Sequence, residues 1–321
     1  MKKLTFALSA IAAAITGTAH ADISVSGSTG AAYVANMATT QDTDLIVGSA
    51  VAFSMSTTTS TGMGISAGMG LSLDPDADSS STAAAVTGGN AVTFTTGGAT
   101  IKVGDIELGD TPGSVGGVVG GIVGDNNGAS SSVATGFDDD DGAGISFSTS
   151  VGAASLSLGY ITNDALNNHA IINSSTSGHD AMTAASISMP MGAYTITLGV
   201  ADHDSGESAS GASVSAALGG GTLVLGYSNQ TLTATGTTAL STDGDSTVAG
   251  ATYAMSLDAD TSISVGYQSA KDADSHSTTR FDASVSRALG GGASVYLDIR
   301  TLNGDGATTG TATGFGTSVS F

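Results

Sequence analysis

From Met63 to Leu73 the chain alternates apolar residues with small or polar ones over eleven positions, MGISAGMGLSL. Strict alternation of that length predicts a β-strand whose two faces meet different surroundings. Comparable segments recur at Val47 to Met55, Ile145 to Val151, Ala154 to Tyr160, Tyr194 to Val200, Val214 to Leu218, Leu223 to Tyr227, Ile263 to Tyr267 and Val295 to Thr301. The stretches between them alternate in length. Short ones carry turn chemistry: Ser56 to Gly62, Gly97-Gly98, Gly152-Ala153, Pro190 to Gly192, Gly219 to Gly221, Asp258 to Asp260 and Leu289 to Gly291. Long ones are rich in Asp, Ser, Asn and Thr: Asp74 to Gly89, Glu107 to Asp141, Thr162 to Asp180, Thr231 to Asp245 and Lys271 to Ser277. Hairpin turns at one end and long connections at the other give about sixteen antiparallel strands.

A short repeat, LSLGY ending at Tyr160, LVLGY at Tyr227 and ISVGY at Tyr267, follows three of the turns. It places three tyrosines at one height on the apolar face, where an aromatic girdle of a membrane barrel would lie. A soluble β-sandwich alternates too, but its outer face carries Lys, Glu and Arg. Here that face is Ser, Gly and Thr, with 11% charged residues in all. The fold class expected is therefore all-β: a transmembrane up-and-down antiparallel β-barrel of about sixteen strands.

MKKLTFALSAIAAAITGTAHA changes the picture at the front: two lysines, an apolar stretch and an A-x-A site read as a secretory signal peptide spanning 1–21, leaving 22–321 as the barrel domain. Without Lys2 and Lys3 the mature chain holds five basic residues against 28 acidic ones, a formal −23. Phosphate contacts need clustered Lys and Arg, so nucleic acid is excluded as a partner. Cysteine is absent, which removes thiolate metal sites, cysteine nucleophiles and disulfides. No mature segment has the run of about 18 apolar residues that a membrane helix needs.

Three stretches together resemble the general porins of Gram-negative outer membranes, particularly the alphaproteobacterial type. GATIKVGDIELGDTPGS (98–114) resembles that family's fifth strand entering its third loop, RALGGGASVY (287–296) its last short turn, and GFGTSVSF (314–321) its closing strand. The resemblance implies a homotrimeric outer-membrane pore for passive diffusion of small hydrophilic solutes, narrowed by an inward-folded loop, here 107–141. It also implies contacts with outer-membrane lipid and lipopolysaccharide, and with the barrel insertion machinery, which reads the terminal Phe321. In the loop, Asp110 and Asp125 are the acids available to a constriction before FDDDD at its return. A secreted or surface-attached β-rich adhesion protein is the alternative that the Gly, Ser, Asp and Thr content also suits.

Parity assigns the remaining charges. Phe281, Ala283 and Val285 share one face, so Arg280 and Asp282 point into the lumen; Val295, Leu297 and Ile299 put Asp298 and Arg300 there, and Ile101 and Val103 put Lys102 there. Taking Leu289-Gly290-Gly291 as a three-residue hairpin loop sets Arg280 opposite Arg300 and Asp282 opposite Asp298. Arg287 and Lys271 fall on the apolar face near strand ends, where cationic stems snorkel to headgroups. Asp74, Asp76, Asp78 and Asp138, Asp139, Asp140, Asp141 are oxygen ligands suited to Ca²⁺, though without EF-hand spacing. Asp202-His203-Asp204 is a weaker metal candidate. His169, His179 and His276 lie in polar connections without a nucleophile motif, so no catalytic residue and no required cofactor is expected. The net charge points to a weakly cation-preferring pore.

Overall fold

Every second side chain of a strand turns to the same face, so the fate of an alternating chain depends on whether its sheet closes. In the computed structural model it does. The structure describes residues 22–36, 44–73, 84–87, 91–108, 141–162, 181–204, 206, 208–232, 244–271, 277–304 and 309–321. Among these, seventeen strands form one antiparallel sheet. They are β1 (Asp22–Asn36), β2 (Asp44–Thr58), β3 (Gly64–Leu73), β4 (Ala84–Thr87), β5 (Val92–Thr96), β6 (Ala99–Glu107), β7 (Asp141–Val151), β8 (Ala154–Ile161), β9 (Met182–Met191), β10 (Tyr194–His203), β11 (Ser208–Leu218), β12 (Gly221–Leu232), β13 (Gly244–Ser256), β14 (Thr261–Lys271), β15 (Ser277–Gly290), β16 (Ala293–Gly304) and β17 (Gly310–Ser320). Both β4 and β5 pair with β3, so together they are one broken strand of a sixteen-strand barrel. β4 lies inside a stretch read from sequence as a loop. β17 pairs back onto β1, and no edge is left at the seam.

Register carries one face continuously round the ring. Even-numbered residues of β6 and β7 oppose each other, as Lys102 does Ser146; Gly159 of β8 then opposes Ala184 of β9, and Ala201 of β10 opposes Ala209 of β11. The other face carries the large apolar side chains, such as Val25, Phe281, Leu297 and Phe315, which remain 45–58% exposed. An exposed apolar belt round a closed barrel is a lipid-facing surface. Tyr160, Tyr227 and Tyr267 lie on it, each six residues after its strand begins, roughly 20 Å up at about 3.3 Å per residue.

Several turns are shorter than or displaced from the sequence reading: β2 runs on to Thr58 and β12 starts at Gly221. Pro190 and Met191 belong to β9 and the turn is Gly192-Ala193. At the last hairpin the turn is Gly291-Gly292, with a bulge between Ala288 and Gly290. Gly290, Gly291 and Gly292 all have positive φ (85°, 61° and 80°), which only glycine adopts freely.

Candidate functional site

The inner face is the surface a solute would meet, and most of it is small and polar: Ser24, Ser26 and Ser28 on β1, Ser66 and Ser72 on β3, Thr195 and Thr197 on β10, Ser318 and Ser320 on β17. Two patches depart from that rule.

The first is apolar. Ile106, Ile161, Met182, Ala201 and Ala209 form a buried cluster on inner-face positions of β6, β8, β9, β10 and β11, with Leu108 and Ala184 packed against it. Gly144 and Gly159 make room for it. A Cβ at Gly144 would stand 2.8 Å from Ile106 Cδ1, and one at Gly159 would run into Leu108. β6 is hydrogen-bonded to β7, whereas Gly159 sits on β8. Leu108 therefore reaches sideways past its neighbouring strand along the inside of the wall. The apolar cluster thus holds the end of β6, at Leu108, against the inner wall. Sequence reasoning missed this patch, although the signal was present: Ile106 shares the parity of Lys102, and an isoleucine on a wetted face must be covered.

The second is charged, on β15 and β16. Asp282 stands directly opposite Arg300, Ser284 opposite Asp298, and Arg280 opposite Leu302. Arg280 Nε donates to Asp282 Oδ2 at 2.7 Å, and Arg300 Nε donates to Asp282 Oδ1 at 2.9 Å. Ser284 Oγ donates to Asp298 Oδ1 at 2.6 Å. All four charged residues are buried, between 2% and 6% exposed. The expected like-with-like pairing is thus corrected. Moving the turn one residue along moves every partner by two, which keeps each side chain on its face but replaces arginine opposite arginine with aspartate opposite arginine. Next to this patch, Val248, Ala270 and Leu302 form a small buried cluster. Ser228 Oγ, Thr278 Oγ1, Tyr296 OH and Arg300 Nη1 are buried without a hydrogen-bond partner among the described residues.

Lys102 is exposed on the inner face of β6, opposite Thr93 and Ser146. Arg287 lies on the outer face at the short-turn end; its Nη1 donates to Thr261 Oγ1 at 2.9 Å and lies 3.7 Å from Asp258 Oδ2. Lys271 ends β14 and is exposed. Asp141 opens β7 opposite Glu107. Asp74, Asp76, Asp78, Asp110, Asp125, Asp138, Asp139, Asp140, His169, His179 and His276 lie outside the described residues. Among the described residues no three metal-ligating side chains come together, Asp202 and Asp204 included. Phe321 sits at the seam, where its N–H donates to Gly27 O at 3.0 Å and its C=O accepts from Gly27 N–H at 3.1 Å.

A closed barrel with an apolar belt outside and a small polar wall inside defines a membrane channel. Residues 7–307 match the family model of Gram-negative porins, and the chain belongs to that family. It is an outer-membrane diffusion channel. The fold is similar to that of Salmonella typhi OmpF in complex with daunomycin (12% identity, 93% of this chain and 97% of that one, TM-score 0.69). It is also similar to an in-vitro-folded Vibrio cholerae OmpT in its trimer form (11%, 94% and 99%, TM-score 0.66) and to a Rh. blastica porin variant (15%, 94% and 100%, TM-score 0.63). At the level of sequence alone, no curated protein matches the chain.

Proposed function

We propose that this porin is a weakly cation-preferring channel for small hydrophilic solutes, narrowed by the loop 107–141 and assembled as a homotrimer. The observation that supports the narrowing is the Leu108 side chain, the last described position before the loop, which lies along the inside of the wall over Gly159, two strands from its own. The trimer is inferred from the trimer form of the V. cholerae relative. Cation preference follows from 28 acidic residues against seven basic ones in the whole chain. A low-dielectric channel mouth focuses such a field and concentrates cations there. Lys102, Asp110, Asp125, Arg280, Asp282, Asp298 and Arg300 are the residues proposed to tune it. Asp74, Asp76, Asp78 and Asp138 to Asp141 are proposed divalent-cation ligands at the loops, in contact with lipopolysaccharide outside.

The test is electrical. In planar bilayers under a dilute KCl gradient the reversal potential takes the sign of cation selectivity and shrinks as salt rises and the Debye length falls to about 8 Å near physiological ionic strength. Excising Val115 to Asn127 raises single-channel conductance. An anion-selective potential overturns the first claim, and an unchanged conductance in a folded deletion overturns the second.

A further inference from the structure

Beside the apolar anchor, on the side of the short turns, the inner wall of β7, β8 and β9 carries an open cavity of about 250 Å³. Its floor is a row of three serines in register, Ser148 opposite Ser157 and Ser157 opposite Ser186. Ser146 adds a fourth hydroxyl one row nearer the anchor, opposite Gly159. None of the four is buried. Leu108 overhangs one side, where Gly159 leaves room for it, and Ala184 continues that apolar edge. Lys102 stands directly across from Ser146 on β6, exposed to the lumen.

The cavity is smaller than the roughly 300–1,000 Å³ that holds a drug-sized ligand, so it suits a solute of one ring. Neighbouring strands lie about 4.8 Å apart, so each serine of the row meets a different group of such a solute. A hydroxyl both donates and accepts, whereas a carboxylate only accepts and an ammonium only donates. Four hydroxyls therefore match a solute that is itself rich in hydroxyls. Charge decides in the same direction. The Lys102 ammonium repels a cation at this point, and 28 acidic residues against seven basic ones repel an anion from the channel as a whole.

The geometry points to a subsite for neutral cyclic sugars of monosaccharide size, with the C–H face of the ring on Leu108 and Ala184 and its hydroxyls bonded to Ser146, Ser148, Ser157 and Ser186. The inference rests on the channel reading and names a solute class and a place for it. It also gives Leu108 a second role: the side chain that holds the end of β6 against the wall is the roof of the site.

The experiment adds glucose, sorbitol, glucuronate or glucosamine to channels carrying a potassium chloride current in planar bilayers, at about pH 6, where glucuronate is an anion and glucosamine a cation. The current without sugar tests the porin reading by itself; its response to the series tests the subsite. Glucose is expected to lower the current along a saturating curve. Sorbitol, an open chain without a preformed C–H face, needs about three- to tenfold more for the same effect. Both charged sugars bind more weakly than glucose. Ser157→Ala combined with Ser186→Ala raises the half-saturating glucose concentration about tenfold. Ser157→Leu, which fills the cavity, removes the saturation. Ser264→Ala, elsewhere on the inner wall on β14, leaves the glucose response as it was. Saturation-transfer NMR of glucose with refolded protein in detergent reads the same site without a current. A current that falls in proportion to glucose without saturating would overturn the inference, as would a saturating response that survives Ser157→Leu. If Ser157→Leu fails to fold, the double alanine variant decides. Tighter binding of glucuronate or glucosamine than of glucose marks a charged-solute site and overturns the neutral-sugar claim.

Discussion

Both oxygens of Asp282 are occupied, one by Arg280 and one by Arg300, and all three side chains are buried. Sequence parity alone treats the two arginines as solvated wall charges that serine can replace at little cost. The observed contacts reverse that expectation, because truncating one side of a buried ion pair strands the other. Asp282→Asn leaves two guanidinium groups against a neutral amide, and the expected loss is about 3–5 kcal/mol, read as a lower denaturant midpoint of the refolded barrel. Replacing Arg280 and Arg300 together with serine strands Asp282 instead and is expected to cost a comparable amount. A triple replacement of Arg280, Asp282 and Arg300 with residues of similar volume and no charge should recover most of it. Equal midpoints for Asp282→Asn and the unaltered protein would show that the trio contributes nothing to stability.

Turns and hairpins are where the elements take their register. Between β13 and β14, Asp258 Oδ1 accepts from the N–H groups of Asp260 and Thr261 at 2.9 and 2.7 Å, and its other oxygen accepts from Thr261 Oγ1. The backbone N–H of Asp260, then the Thr261 hydroxyl, and more weakly the Arg287 charge hold its carboxyl below the usual carboxylate range. A lowered folded-state pKa stabilises the turn at pH above the ordinary value near 4 and ceases to do so as pH falls through the lowered one. Thermal melts of the unaltered protein and Asp258→Asn should therefore differ at pH 7 and converge as pH drops below about 4. A gap of constant size would exclude the charge as its source. The turn at Asp258 to Asp260 was legible beforehand, though not its hydrogen bonds, as were strand number, face parity and the inward placement of Lys102, Arg280, Asp282, Asp298 and Arg300, because period-two alternation specifies a face strongly. The partner across a hairpin was not legible. RALGGGAS offers three consecutive glycines, each able to take positive φ, so the turn fits at more than one position, and moving it by one residue shifts the register by two and leaves every face unchanged. β4 was missed for a related reason: four residues, AAVT, are too few to display a period. The apolar anchor around Ile106 and Leu108 needed tertiary information, since it joins side chains of five strands, with β6 meeting β8 to β11 past its neighbour β7.

Closure is the property that belongs to the whole chain, and the seam between β1 and β17 is its last step. Nine register pairs, from Ser28 with Ser320 to Asn36 with Ala312, join the two ends of the sequence, and Phe321 adds a reciprocal pair of backbone bonds with Gly27. The Phe321 ring lies over Gly27 on the outer face and is 78% exposed. Energetically the terminal residue is a minor part of the seam. Its two backbone bonds contribute about 0.5–1.5 kcal/mol each and its exposed ring little more. Deleting Phe321 should accordingly lower the stability of barrel refolded in detergent by no more than about 1–3 kcal/mol. If the aromatic terminus is also the address by which insertion machinery selects the chain, the same deletion in cells should stop assembly almost completely while export proceeds, far beyond what so small a loss of stability produces. The comparison separates thermodynamics from recognition. Heat-modifiable migration of refolded protein reports the first, and the yield of folded barrel in outer-membrane fractions reports the second. Parallel modest losses in both would reduce Phe321 to one more rung of the sheet, and failure to refold in detergent would make it a structural lock. Intact refolding with absent assembly is the outcome expected of a residue that closes the barrel weakly and is read strongly.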